Sequence, residues 1–255
     1  MIWVSVAVLT SPAVVRAQFA YSNNGDSTCT ITDYGGQGGN VTIPGTINGL
    51  RVTSIGGYAF QYKNGLKSIV IPASVTNIGA GAFYSCQGLT NAVIGSGVTS
   101  IGAEAFSTCI NLKSIVIPAS VTNIATYAFD GCTKLTQIYF RGNAPSLGTS
   151  VFADGTPAII YYQPNTTGWG SFAGPTPVLW NPTAKPDATF GVQANCFGLT
   201  ITNAGSPTII VDACTNLSGG IWVPVSTNSL TNGSSYFSDP AWTNYHNRFY
   251  RFRAP

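Results

Sequence analysis

The sequence predicts a mainly β protein: a solenoid of about five 23-residue coils followed by a small antiparallel β-sandwich-like domain. Three observations carry this prediction. LKSIVIPASVTNI occurs at Leu66–Ile78 and again at Leu112–Ile124, and a looser copy, LTNAVIGSGVTSI, fills Leu89–Ile101 midway, which sets a period of 23. Phe60, Phe83, Phe106, Phe129 and Phe152 keep that period, as do Leu66, Leu89, Leu112 and Leu135. Charged residues are 7% of the chain, against roughly 25% in ordinary soluble domains. Glycine is abundant and Glu104 is the only glutamate, a balance that suits strands and turns rather than long amphipathic helices.

In chain order, MIWVSVAVLTSPAVVRAQ opens with an apolar run whose Val15-Arg16-Ala17 forms a small-x-small cleavage signature, so residues 1–17 read as a signal peptide. The usual basic stretch is missing from this run, and a buried N-terminal strand is the alternative. CTITDYGGQGGNVTI (Cys29–Ile43) offers a strand, a glycine-rich turn and a second strand able to cover the first coil. Within a coil, Leu66, Ile69 and Ile71 mark a short strand with its apolar side inward, and Pro72 ends it. Val75 to Ile78 makes a second short extended piece with both apolar ends inward. Gly79 then opens a turn in which AGAFYSC sinks Phe83. One coil cannot bury this much apolar surface alone, but stacked coils cover one another.

The period frays at Ala153–Pro157, and Trp169, Phe172 and Trp180 supply bulky area to plug the last coil, with a ligand-binding aromatic patch as the sharper alternative. Residues 18–182 are thus read as a capped solenoid and 183–189, Pro- and Ala-containing, as a semi-stiff linker. From residue 190 to 255 the repeat is gone. FGLTITN, TIIVDA, IWVPVST, SSYFSD and NRFYRFR alternate there between turn-forming stretches, which predicts about five antiparallel strands. No run after the leader is long and apolar enough to span a bilayer as a helix.

IPASVTNIGAGAFYSC and its copies resemble the bacterial surface-antigen, or BspA-like, type of leucine-rich repeat. VTIPGTINGLRVTSIGGYAF (Val41–Phe60) resembles the longer first unit of such arrays, and YYQPNTTGWGSFAGPTPVLWNP (Tyr161–Pro182) the segment that closes them. The resemblance covers roughly residues 27–182. It implies a curved, β-lined solenoid in a secreted or surface-exposed protein that binds other proteins, often in adhesion. Residues 190–255 are similar to C-terminal modules of secreted bacterial proteins.

Cys86, Cys109 and Cys132 form a repeat column, and three cysteines cannot all pair within it. A buried thiol ladder is the preferred reading, over disulfides or a metal site. Cys29 stands outside the column. In the C-terminal module, a hairpin around Ala204–Ser206 with Thr202 opposite Thr208 would set Cys196 against Cys214, close enough for a disulfide in an oxidising compartment.

Catalytic parts are scarce. His246 is the sole histidine and sits in a turn-like NYHNR, so no multi-histidine metal site or Ser-His-Asp relay is assembled. Glu104, Asp130 and Asp154 share no column, and the glycine-rich stretches lack the lysine and helix of a phosphate loop. No enzyme, cofactor or metal is expected. A net charge of +3 is too small and scattered for a nucleic-acid binder.

The solenoid instead presents outward columns along its longer strand: Lys67, Thr90, Lys113 and Thr136; then Ser68, Asn91, Ser114 and Gln137; then Val70, Val93, Val116 and Tyr139. The leading reading is a non-enzymatic secreted or cell-surface protein that recognises an extracellular protein partner through this concave face, with Tyr139 and the two lysines as anchors. One alternative is polysaccharide binding by the C-terminal module, through Trp222, Trp242, Tyr245 and Tyr250. Another is a structural envelope protein. The basic Arg248, Arg251 and Arg253 raise a third contact, with an anionic surface.

Overall fold

The computed structural model describes residues 18–193, 196–205 and 207–255. The leader over 1–17 therefore lies outside the described residues, as does Ser206 at the expected hairpin tip. The first strands in chain order are β1 (Phe19–Asn23), β2 (Thr28–Tyr34), β3 (Gly39–Thr42), β4 (Thr46–Ile47) and β5 (Leu50–Ile55). Longer and two-residue strands then alternate: β6 (Leu66–Val70), β7 (Asn77–Ile78), β8 (Asn91–Val93), β9 (Ser100–Ile101), β10 (Ser114–Ile117), β11 (Asn123–Ile124), β12 (Gln137–Phe140) and β13 (Ser146–Leu147). β14 (Ile159–Tyr162) and β15 (Val178–Leu179) close the series. β16 (Thr183–Lys185), β17 (Gly191–Gln193), β18 (Cys196–Thr202), β19 (Thr208–Cys214), β20 (Val223–Ser229), β21 (Ser234–Asp239) and β22 (Phe249–Arg253) follow. By the density of internal contacts the chain divides into two units, one of residues 18–113, 118–135 and 145–157, the other of 114–117, 136–144 and 158–255.

In the first unit the short strands β5, β7, β9, β11 and β13 pair in parallel, one per coil, and β2 joins ahead of β5. β3 pairs in parallel with β6, and β6 with β8. The front cap thus contributes one strand to each sheet, and β1, which carries no repeat signal, covers β2 antiparallel. Inside, the phenylalanine column is a continuous stack. Successive ring centroids from Phe60 to Phe152 lie 4.9, 5.0, 5.5 and 6.0 Å apart. Tyr34 extends the stack at the front, 5.1 Å from Phe60, and Phe19 closes over Tyr34.

The AGAF turn has a backbone reason for its shape. Tyr58, Gly81, Glu104, Tyr127 and Ser150 stand 23 residues apart and all adopt φ between 53° and 60°, in the left-handed region. Tyr62, Ser85, Thr108, Gly131 and Asp154 form a second such column. A side chain there costs roughly 1–2 kcal/mol. The conformation turns the N–H along the stacking direction: Tyr58 donates to the Ala80 carbonyl, Gly81 to Ala103, Glu104 to Thr126 and Tyr127 to Thr149, at 2.8–3.1 Å. Each of these bonds satisfies a backbone group of the next coil that a lone turn would leave bare.

The cysteine column is a ladder of free, buried thiols. Cys86, Cys109 and Cys132 donate from Sγ to the carbonyls of Phe60, Phe83 and Phe106 at 2.9, 3.3 and 3.1 Å. At the last coil the column holds Gly155, and the neighbouring Thr156 hydroxyl takes over, donating to the Phe129 carbonyl at 2.8 Å. Burial pushes the Cys86 and Cys132 thiols up to about 12 and Cys109 well above its ordinary range.

In the second unit, β10, β12, β14 and β15 pair in parallel. β10 and β12 keep the 23-residue register, Ser114 opposite Gln137, whereas β12 and β14 pair Gln137 with Ile159, one residue short. Trp169 stacks on Tyr162 at 5.0 Å and meets Phe140 and Phe172 edge-on or tilted, and it is buried. All five C-terminal strands read from alternation are present, in two antiparallel sheets: β18 with β16, β17 and β21, and β19 between β20 and β22. The segment read as a linker contains β16, which pairs Thr183–Lys185 with Thr200–Thr202 of β18.

β18 and β19 do not form the expected hairpin. Phe197–Thr202 faces β21, while β19 is flanked by β20 and β22, so β18 and β19 lie in different sheets, a crossover in place of a hairpin. Cys196 stands opposite Gln193 and Cys214 opposite Phe249, and both are free thiols. The disulfide expected between them is therefore corrected: its premise was a register that the crossover removes.

Candidate interaction face

The predicted columns fare differently in the two units. In the first, Lys67, Thr90, Asn91, Val93 and Lys113 are exposed, with Val93 at 47%. The strand pleat explains it: Ile69 and Ala92 turn to the core, which sends their neighbours outward. Thr90 is fixed to the coil before it by its N–H and its hydroxyl, both donating to the Lys67 carbonyl at 2.9 and 3.0 Å. Ser68, half-buried, donates to the Asn40 side-chain oxygen at 2.8 Å, and Val70 is half-buried.

In the second unit Thr136 stays exposed, but the other two columns are partly or wholly covered. Tyr139, the expected aromatic anchor, is 3% exposed and packs with Tyr161, Trp180 and Ala254. Its hydroxyl accepts the Thr208 N–H at 3.0 Å and also lies 3.0 Å from the Thr208 carbonyl and 2.8 Å from Gln137 Oε1. Burial, set against the Thr208 hydrogen bond, leaves this phenol far above its ordinary range. Val116 packs against the same cluster, and Ser114 and Gln137 are half-buried. Tyr139 is thus an internal contact of the unit and not an anchor for a partner. Its hydrogen-bond partner lies 69 residues downstream, outside any periodic signal.

The C-terminal basic residues are also engaged internally. Arg251 and Arg253 both donate to buried Asp212 at about 3 Å, and Arg248 donates from Nε to buried Asp239 at 2.6 Å. The arginines are tied to the module's own carboxylates, so the anionic-surface reading loses its free charges. Of the four aromatics singled out there, Trp222 lies under Arg251, 4.6 Å from its guanidinium carbon. The other three, Trp242, Tyr245 and Tyr250, line one cavity of about 310 Å³. Phe197 and His246 join them, two residues whose part in a site no sequence pattern indicated.

The profile of the BspA type leucine-rich repeat region matches residues 53–171 in six copies. The crystal structure of a leucine-rich repeat protein from T. pallidum is 30% identical, with a TM-score of 0.54, over 58% of this chain and 69% of that one. This chain belongs to the BspA-type leucine-rich repeat family. A leucine-rich cell surface protein from Faecalibacterium prausnitzii is 29% identical over 60% of this chain and 40% of its own, with a TM-score of 0.49. A leucine-rich repeat protein from Bacteroides capillosus is 30% identical over 49% of this chain and 95% of its own, with a TM-score of 0.44. No curated protein sequence matches the chain. The BspA-type profile ends at residue 171, before β15 and all the strands of the C-terminal module. Among the described residues, no helix is long and apolar enough to cross a membrane, and no group of three or more His, Cys, Asp or Glu side chains is placed to hold a metal ion.

Proposed function

We propose that this BspA-type protein acts at the cell surface or after secretion as a non-enzymatic adhesion or recognition protein, binding a protein partner through the long-strand face of its front coils. The observation that supports this most is the exposed set Lys67, Thr90, Asn91, Val93 and Lys113, carried on a rigid, close-packed stack. Two lysines at one register position, with a threonine between them and an apolar spot beside them, suit an acidic protein surface with an apolar centre. The surface localisation is what the resemblance of the repeats to the bacterial surface-antigen, or BspA, type implies.

The test is surface plasmon resonance of the full chain against a panel of extracellular proteins, repeated with the double variant Lys67→Glu/Lys113→Glu and with Val93→Asp. Both variants should lose at least tenfold in affinity for the captured protein, with unchanged melting, and binding should weaken as salt rises. Binding that both variants retain would place the contact elsewhere and overturn the reading.

A further inference from the structure

We infer that the cavity framed by β18, the 3-10 turn Trp242–Asn244 and the start of β22 is a binding site for a neutral sugar residue. This inference is independent of the recognition face on the coils.

The site is built from behind. Asp239, buried at the end of β21, accepts from Arg248 Nε at 2.6 Å and from the Tyr250 hydroxyl at 3.0 Å, and its other oxygen accepts the Ala241 N–H at 2.9 Å. One carboxylate thus fixes two wall residues and the chain entering the 3-10 turn. Arg248 in turn lies over the Tyr245 ring, 4.0 Å from its centroid, which orients that ring. Phe197 stacks on Tyr250 at 4.9 Å with the planes 4° apart. Burial and the Asp239 carboxylate push Tyr250 up to about 12, so it stays a neutral hydrogen-bond donor.

The chemistry of the lining selects the ligand. Aromatic faces of Trp242 and Tyr245 suit the C–H faces of a pyranose ring, and the exposed Asn247 amide and His246 imidazole supply hydrogen bonds for hydroxyls. Arg248 is the one lining residue with a fixed charge, and its side chain is 9% exposed and spent on Asp239. An acidic sugar would therefore find no free cation, while a neutral one loses nothing. At about 310 Å³ the cavity lies at the small end of ligand pockets, the size for one ring of a longer chain rather than for several.

The experiment is isothermal titration of the full chain with neutral oligosaccharides (cellotriose, mannotriose and N,N′-diacetylchitobiose) and with an acidic one, trigalacturonate. At least one neutral ligand should bind in the millimolar range or tighter and quench tryptophan fluorescence. Tyr245→Ala, whose ring is 42% exposed, should weaken that binding at least tenfold with unchanged melting, as should Asn247→Ala by a smaller factor. Failure of all neutral ligands to bind, tighter binding of trigalacturonate, or unchanged affinity in Tyr245→Ala would each overturn the site. Since Lys67→Glu/Lys113→Glu leaves this cavity untouched, sugar binding should survive in that variant, which keeps failure of one reading separate from failure of the other.

Discussion

Phe106 lies between Phe83 and Phe129 with both neighbouring rings nearly parallel to it, and it is fully buried. Phe106→Ala removes one plate of the stack and leaves a cavity that two rigid coils cannot close. It should cost roughly 3–5 kcal/mol, read as a lowered melting temperature. The cysteine ladder makes a second residue-scale prediction. The column thiols have an ordinary value of 9.0, and burial holds Cys86 and Cys132 at about 12 and Cys109 well above that ordinary value. Between pH 9 and 12 the unfolded chain releases protons that the folded chain retains, so their contribution is intact below pH 9 and shrinks as pH rises. Melting temperature should fall over that window, and the fall should be shallower in Cys86→Ala/Cys132→Ala. Both columns were legible in the sequence, because a fixed spacing of identical residues states which neighbours each one meets. Tyr139 was not: its place in a column was plain, but its burial depends on Thr208, Trp180 and Ala254, which obey no period.

The turns carry the argument at the scale of elements. Gly81 sits at φ +60°, and a Cβ built there falls 2.2 Å from a ring carbon of Tyr58, one coil earlier in the same column. Gly81→Ala therefore meets two penalties, the left-handed backbone and the ring. Its melting should drop by an amount equivalent to about 2 kcal/mol, of which roughly 1–2 is backbone. Tyr58→Ser/Gly81→Ala should recover the steric part only, so a double-mutant cycle on thermal melts should give a coupling of order 0.5–1 kcal/mol. Strand existence was readable from alternation and from prolines, even in the C-terminal module. Strand partnership was not, because alternation shows which face of a strand is buried and is silent on which strand lies beside it. That is why β18 and β19 read as a hairpin, and why β1, β16 and β17, short and without pattern, went unseen.

At the largest scale, a period that returns the turn donors Tyr58, Gly81, Glu104 and Tyr127 to acceptors 22 residues on, and the phenylalanines to one column, makes the coil the unit of construction. Deleting residues 89–111 removes one whole coil and keeps all columns in register. That variant should still fold and melt cooperatively, at a lower temperature. Deleting residues 89–108 instead shifts each downstream column by three, and circular dichroism should show that the strand signal is lost. The second unit has no such tolerance, since the pairing of β12 with β14 is already one residue short of the repeat. The left-handed turns give the stack a direction as well as a period: at the turn each coil donates N–H groups forward, while beside its short strand it donates back to the coil before, as Thr76 does to Thr53 and Thr99 to Thr76, so successive coils repeat one joint. A gene for such a chain can grow or shrink by copying blocks without redesigning a joint. The thirteen identical residues at Leu66–Ile78 and Leu112–Ile124, two coils apart, are the pattern that copying a two-coil block would produce.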